Sequence, residues 1–324
     1  NLYATPSDYF FLTNSSNGLI YNPALKPEKL FDYEIGFQQQ LSKESAIILT
    51  AFYKERKDMI QVRPYVLAYP QTYYTYGNRD FSTTKGLTLS YDLRRVGNMR
   101  MNIAYTLQFA EGTGSGPESG NGGSTTQVNG NGSLQNFLQA GLPNLRYTTA
   151  LDYDSRHSIV VTADYRYNDG EGPVIGNTHF LQNAGLNLIF RTRSGEPYTK
   201  FVRPKERTIQ GELNGNRLPW HYGLDLRIDK DFKLQFGKKP VAEGAKVRKP
   251  LVVNAFCYVQ NLLNIKDVLE VDGYTSRPDD DGWLSSPQGI QDIKNQSSQL
   301  SYIDIYTIYL RDPNKVNLPR GVNI

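Results

Sequence analysis

Three consecutive carboxylates, Asp279, Asp280 and Asp281, followed by Gly282, form the densest group of hard oxygen donors in the chain. Such donors suit Ca²⁺. The spacing is not that of an EF-hand, and three adjacent side chains cannot all face one ion unaided. The run therefore reads as a solvated acidic turn and only a weak Ca²⁺ candidate. His157, His179 and His221 are dispersed, with no Cys or His at metal-ligand spacing. The glycine-rich stretch near Gly112–Gly123 is not followed by Gly-Lys-Ser/Thr, so it reads as a surface loop rather than a phosphate cradle. No Gly-x-Ser-x-Gly elbow is present. The residues thus imply no enzyme, no cofactor and no committed metal site. Two groups remain that could hold a ligand. "KFVRPKERTI" places Lys200, Arg203, Lys205 and Arg207 together, able to grip phosphate or carboxylate by charge-assisted hydrogen bonds. The aromatics Tyr65, Tyr69, Tyr73, Tyr74, Tyr76, Trp220 and Trp283 could stack on a sugar ring or a peptide. The ligand candidates are Tyr73, Tyr74, Tyr76, Arg203, Lys205, Trp220 and Trp283. The plainer reading makes the basic run an ordinary solvated loop and some of the aromatics an interfacial girdle.

Those side chains must be carried by something, and the sequence says what. In "MRMNIAYTLQF", Met99, Met101, Ile103, Tyr105, Leu107 and Phe109 fall on one side. Arg100, Asn102, Ala104, Thr106 and Gln108 fall on the other. A strand projects successive side chains to opposite faces, so this segment has one apolar and one polar face. The pattern recurs, and it predicts strands near 31–41, 46–62, 85–95, 99–109, 156–167, 183–193, 221–232, 251–263 and 317–324. The facing of the second is ambiguous. A strand of about ten residues spans a hydrocarbon layer when tilted, and repeated alternating runs mark a transmembrane β-barrel. The expected polar wall comprises Asp32, Glu34, Gln38, Gln40, Arg100, Asn102, Gln108, Asp164, Arg166, Asn187, Arg191, Asp225, Arg227, Asp229 and Asn254.

Composition fits a barrel. Mean hydropathy is −0.53, and no apolar run reaches the roughly 18 residues of a membrane helix. Polar wall residues dilute every window, so a low mean does not argue against a barrel. Tyr is abundant, 23 residues against 14 Phe. The single Cys257 excludes an internal disulfide and sits at an apolar-face position. A net charge of +4 is too weak to point to nucleic acid. Long connections at 62–80, 110–147, 194–219 and 265–315 fall at one end and the short "SKES" and "VGN" turns at the other, which makes the long-loop end the outer one. Residues 1–30 then form an outer loop. A helical turn is expected near "SPQGIQDIKNQ". With no initiator Met and no signal peptide, the chain reads as a piece of a longer protein.

Several strings resemble one family. "YNPALKPEKLFDYEIGFQQQL", with Asn22, Pro23, Leu25, Pro27, Glu28, Tyr33, Glu34 and Gly36, resembles the lead into a barrel strand of TonB-dependent outer-membrane receptors. "AFYKERKDMI" resembles the strand that follows. "LDYDSRHSI", with Asp154, Arg156 and His157, resembles that family's Asp-x-Arg-His strand start, and "VQNLLN", Val259 to Asn264, its penultimate-strand motif. "RPDDDGWL" also recurs in its large nutrient-receptor branch. The resemblance implies an all-β protein, the last nine or so strands of a barrel of about 22 strands. It implies an N-terminal plug and a TonB-binding segment upstream of Asn1, and further residues beyond Ile324, since the family's terminal aromatic is lacking. The implied function is import of a scarce nutrient (saccharide, peptide or siderophore) with energy from TonB, in the outer membrane of a Gram-negative bacterium. The implied surroundings are membrane lipid and lipopolysaccharide. The alternative is an interaction barrel whose long outer loops dock a surface lipoprotein or a secretion-machine component.

Overall fold

The computed structural model describes residues 19–20, 22, 24–65, 73–116, 148–176, 178–205, 208–234, 251–312, 315–316 and 321–323. Expected segments at 1–18, 117–147 and 235–250 lie outside them.

Nine strands follow one another around a single sheet: β1 (Lys29–Gln40), β2 (Ser45–Tyr65), β3 (Tyr73–Val96), β4 (Met99–Gly112), β5 (His157–Arg166), β6 (Ala184–Arg193), β7 (His221–Leu234), β8 (Leu251–Gln260) and β9 (Gly321–Asn323). Each pairs antiparallel with the next. The order is a pure meander, and the sheet is open, with β1 and β9 at its edges. Two short strands join its flanks: Leu19–Ile20 runs parallel to the start of β3, and Thr149–Ala150 pairs with the end of β4.

Register carries the alternation from strand to strand. Asp92 faces Asn102, Asn102 faces Thr162, Asp164 faces Asn187, and Asn187 faces Arg227. Leu89 faces Tyr105, Ile103 faces Val161, and Leu188 faces Leu226. A slip of one residue in any pair would turn a whole strand over. The ladder settles the facing of β2. Ile48, Phe52 and Lys54 share the polar face with Gln38, Glu34 and Asp32, and Leu49 and Tyr53 share the apolar face with Phe37 and Tyr33.

The apolar face is bare. Ile35 is 76% exposed, Phe37 61% and Leu89 46%. In water such a surface would be an aggregation liability; against lipid tails it is the solvated face. No helix among the described residues is long and apolar enough to cross a membrane. The buried apolar side chains Met59, Ala110, Leu151, Leu213, Leu218 and Val271 lie toward the long-loop end. The packed core is thus a cap over one rim rather than a layer against the sheet.

Two expectations need revision. The third strand begins at Tyr73, well before 85, because β2 and β3 continue past a bulge at Lys57–Asp58 as one long hairpin. Asp58 takes a positive φ there. The long connection after β8 also has regular structure: α1 (Pro287–Lys294) at the expected helical turn, and α2 (Gln299–Leu310), which was not expected. Ser286 caps α1, accepting from Gly289 N at 3.0 Å.

Candidate functional site

The polar face is a wall of paired charges. Arg166 on β5 reaches over β6 to grip Asp229 on β7 with two bonds of 2.8 and 2.7 Å. It crosses at Gly185, where a Cβ would lie 2.4 Å from the Arg166 guanidinium. Arg191 donates to Asp225 at 2.7 Å, Arg95 pairs with Asp164, and Lys54 lies 2.9 Å from Asp32 and 3.4 Å from Glu34. Arg227 lies over the Phe256 ring at 4.8 Å. The expected wall residues on β1, β4, β5, β6, β7 and β8 therefore share one face, with charges of both signs interspersed along it.

Above the wall, the long connections lock together. Asn214 donates to Ala150 O and to Asp152 Oδ1, both at 2.8 Å, and its backbone N–H donates to Thr199 Oγ1 at 3.0 Å. Burial pushes the Asp152 carboxyl above its ordinary value, against the opposing pull of its hydrogen bonds from Asn214 and Ser115. Asp154 is buried, accepts from Ala110 N at 2.8 Å, and pairs with Arg217 and Arg156. Phe201 N donates to Gly273 O at 2.9 Å, tying the 194–220 connection to the helical one. His221 Nε2 meets Glu196 at 2.9 Å, and Arg193 holds the other Glu196 oxygen at 2.9 Å. The "VQNLLN" motif makes the turn that leaves β8. Asn261 and Asn264 both take positive φ, which Asn tolerates, and Asn261 N is held by Asp225 Oδ1 at 3.0 Å.

Nine amphipathic strands with a charged inner face, short turns at one end and an interlocked cap at the other are the architecture of a large membrane barrel wall. Residues 1–246 match the family model described as "TonB dependent receptor-like, beta-barrel". The chain belongs to the TonB-dependent receptor family. Its barrel is similar to those of solved outer-membrane proteins. The outer membrane transporter YddB from Escherichia coli is 15% identical over 79% of this chain and 32% of that one, with a TM-score of 0.47. The ferripyoverdine receptor of the outer membrane of Pseudomonas aeruginosa is 12% identical over 78% and 25%, at 0.45. The FrpB iron transporter from Neisseria meningitidis is 14% identical over 77% and 29%, at 0.42. The chain spans about a third or less of the length of these structures. No curated protein matches it.

The receptor's ligand candidates fall in different places. Lys205 and Trp283, 78 positions apart in sequence, meet in the cap. Lys205 Nζ lies 3.9 Å from the centre of the Trp283 ring and 4.9 Å from that of Tyr306. Tyr306, which the sequence did not single out, donates its hydroxyl to Asp281. Burial, then the Asp281 carboxylate, hold the Tyr306 phenol well above its ordinary value. Arg203 is exposed two residues before Lys205. Tyr73 and Tyr74 are placed by their backbone at the far end of the β2–β3 hairpin, opposite Tyr65 and Pro64. Tyr76 is buried, and its carbonyl accepts from Asn22 at 2.8 Å. Trp220 stacks on His157 at 5.7 Å, and His157 in turn accompanies Tyr105 of the apolar face, 2.9 Å from hydroxyl to Nδ1. The acidic triplet spreads outward. Asp279 faces Arg277 at 3.4 Å, Asp280 accepts from Gly282 N at 2.8 Å, and Asp281 accepts from Trp283 N at 2.9 Å. Among the described residues no cluster of three His, Cys, Asp or Glu could hold a metal ion.

Proposed function

We propose that this chain forms about the last nine strands of a 22-strand or so receptor barrel in a Gram-negative outer membrane, and that the receptor imports a scarce nutrient with energy from TonB. The nutrient is a saccharide, peptide or siderophore. It enters at the long-loop end, contacting Tyr73, Tyr74, Arg203, Lys205 and Trp283, while Tyr76 steadies the hairpin beneath. Loops held by a rigid scaffold are where such contacts are expected. The observation that carries this reading is the paired wall. Alternating Arg–Asp pairs leave no excess of one sign, which suits a plug that packs by hydrogen bonds and must shift. A selective open pore would present one sign. Arg203 and its basic neighbours face lipopolysaccharide phosphates or an acidic part of the substrate. Mass spectrometry of small molecules retained by the receptor in mild detergent tests the proposal. A nutrient that is retained, and lost on Arg203→Ala or Trp283→Ala, supports it. A full-length protein that lacks a plug, or is indifferent to TonB in uptake, overturns it.

One observation favours the second reading, a docked surface lipoprotein. The outer side of α2 leaves Leu300 77%, Ile305 68%, Ile308 70% and Tyr309 81% exposed, more than an isolated surface helix ordinarily shows. A stoichiometric lipoprotein partner that is lost on Ile305→Asp with Ile308→Asp would establish it.

A further inference from the structure

The contact between Lys205, Trp283 and Tyr306 is more than a loop-to-loop touch. A primary ammonium stands over two aromatic faces, at 3.9 and 4.9 Å. The Asp281 carboxylate accepts from the Tyr306 hydroxyl and from the Trp283 backbone N–H, which fixes it next to both aromatic residues. Tyr302 lies 6.0 Å from Tyr306, extending the aromatic wall. This is the chemistry of an aromatic cage for ammonium groups, in which ring faces and a nearby carboxylate replace water. The field around it has the right sign. Residues 267–312 carry nine carboxylates and three Lys or Arg, nine minus three giving a net −6, in a chain whose net charge is +4.

The present occupant is tethered weakly. Lys205 is exposed, sits at a φ of 57°, and belongs to a turn rather than to a strand or helix. A positive φ is a conformation that a non-glycine residue adopts only at a cost. Trp283 Nε1 is buried and donates to no atom among the described residues, which leaves an unused donor beside the ring that holds the cation.

We propose that Trp283, Tyr306 and Asp281 form a binding site for an ammonium or quaternary ammonium group of an incoming solute, and that Lys205 is the stand-in that keeps the cage filled until the solute displaces it. The proposal rests on the outer loops being the face that meets the nutrient, and it adds a chemical class: one amine-bearing or trimethylammonium-bearing part.

Tetramethylammonium is the probe, and the full-length receptor in detergent is the sample. Saturation-transfer NMR on the probe's methyl signal reads binding without any transport. Lys205→Ala removes the competitor, and Lys205→Met removes the charge while keeping a long aliphatic side chain. Both should bind at least about tenfold more tightly than the unaltered receptor, and Trp283→Leu in either background should take back about tenfold or more. Equal affinity with and without Lys205 overturns the proposal, as does binding indifferent to Trp283. Faster proteolysis of the loops in both Lys205 variants with no gain in binding would make Lys205 a latch, which also overturns it. None of these outcomes depends on uptake, so the cage can fail while import stands, and the reverse.

Discussion

The wall and the cap both pair arginine with aspartate, yet they do so over different distances in sequence and by different means. In the wall, Arg191 meets Asp225 on the neighbouring strand because register sets them on one face as diagonal neighbours, two residues apart. In the cap, Arg217 meets Asp154 across 63 positions, with β5 and β6 between them in sequence. Asp154 is almost fully buried, whereas the Arg191 guanidinium side is about half exposed. The wall is a repeated local rule; the cap is a single solution. The wall tolerates change wherever the alternation survives. The cap depends on particular atoms such as Asn214 Nδ2 and Asp154 Oδ1.

The largest test of that contrast breaks the wall's rule on one face only. Leu188→Arg or Ile103→Arg puts a charge among lipid tails and should cost roughly 2–4 kcal/mol near the bilayer midplane. Asn187→Arg and Asn102→Arg, one residue away on the polar face, should cost far less. The yield of folded, heat-modifiable barrel reads the difference, and equal losses on both faces would mean that the sheet does not stand in a membrane.

A smaller effect is expected where the wall itself departs from pure repetition. Gly185→Ala places a methyl in the path of the Arg166 guanidinium. The Arg166–Asp229 bonds must lengthen or shift, at a cost of about 1 kcal/mol. Denaturant titration of the barrel in vesicles should show it, and Arg166→Met should abolish the further loss from Gly185→Ala. Additive losses would mean that the glycine serves another purpose.

The smallest effect sharpens the view of the cap as one buried solution. The Asp152 carboxyl is raised from 3.8 mainly by burial. The folded state therefore holds the proton to higher pH than the unfolded chain does. Stability falls as pH rises from near that ordinary value through the raised one, and stays lower above it. Asp152→Asn keeps an acceptor for Asn214 and removes the proton. Its cap should resist proteolysis at neutral pH better than the unaltered cap, with no difference at the acid end. A variant less protected at neutral pH would show that the charge is needed.

Much of the wall was legible because its physics is periodic. Alternation along "MRMNIAYTLQF" and "NAGLNLIFRTR" assigns every residue a face before any partner strand is known. The second strand resisted, since Ile47, Ile48 and Leu49 are apolar on both faces, and only pairing with β1 and β3 resolved it. The candidate site was half legible. Lys205 and Trp283 stood out by type, but nothing local in "QLSYIDIYTIYL" marks Tyr306 as their neighbour, since its apolar residues surround the helix. Trp220, equally conspicuous in sequence, stacks on His157, which stacks in turn on Tyr105.

By itself the sequence determined the strand type, the two chemically distinct faces, the end bearing the long loops and the family, because each follows from residue order over ten or fewer positions or from short motifs. Only the tertiary structure decided which cap residues meet: Lys205 with Trp283 and Tyr306, Asp154 with Arg217, Asn214 with Asp152. Those contacts join segments tens of residues apart, and loop closure over such spans has no periodic signature. The chain finds them by burying what the strands leave at the rim.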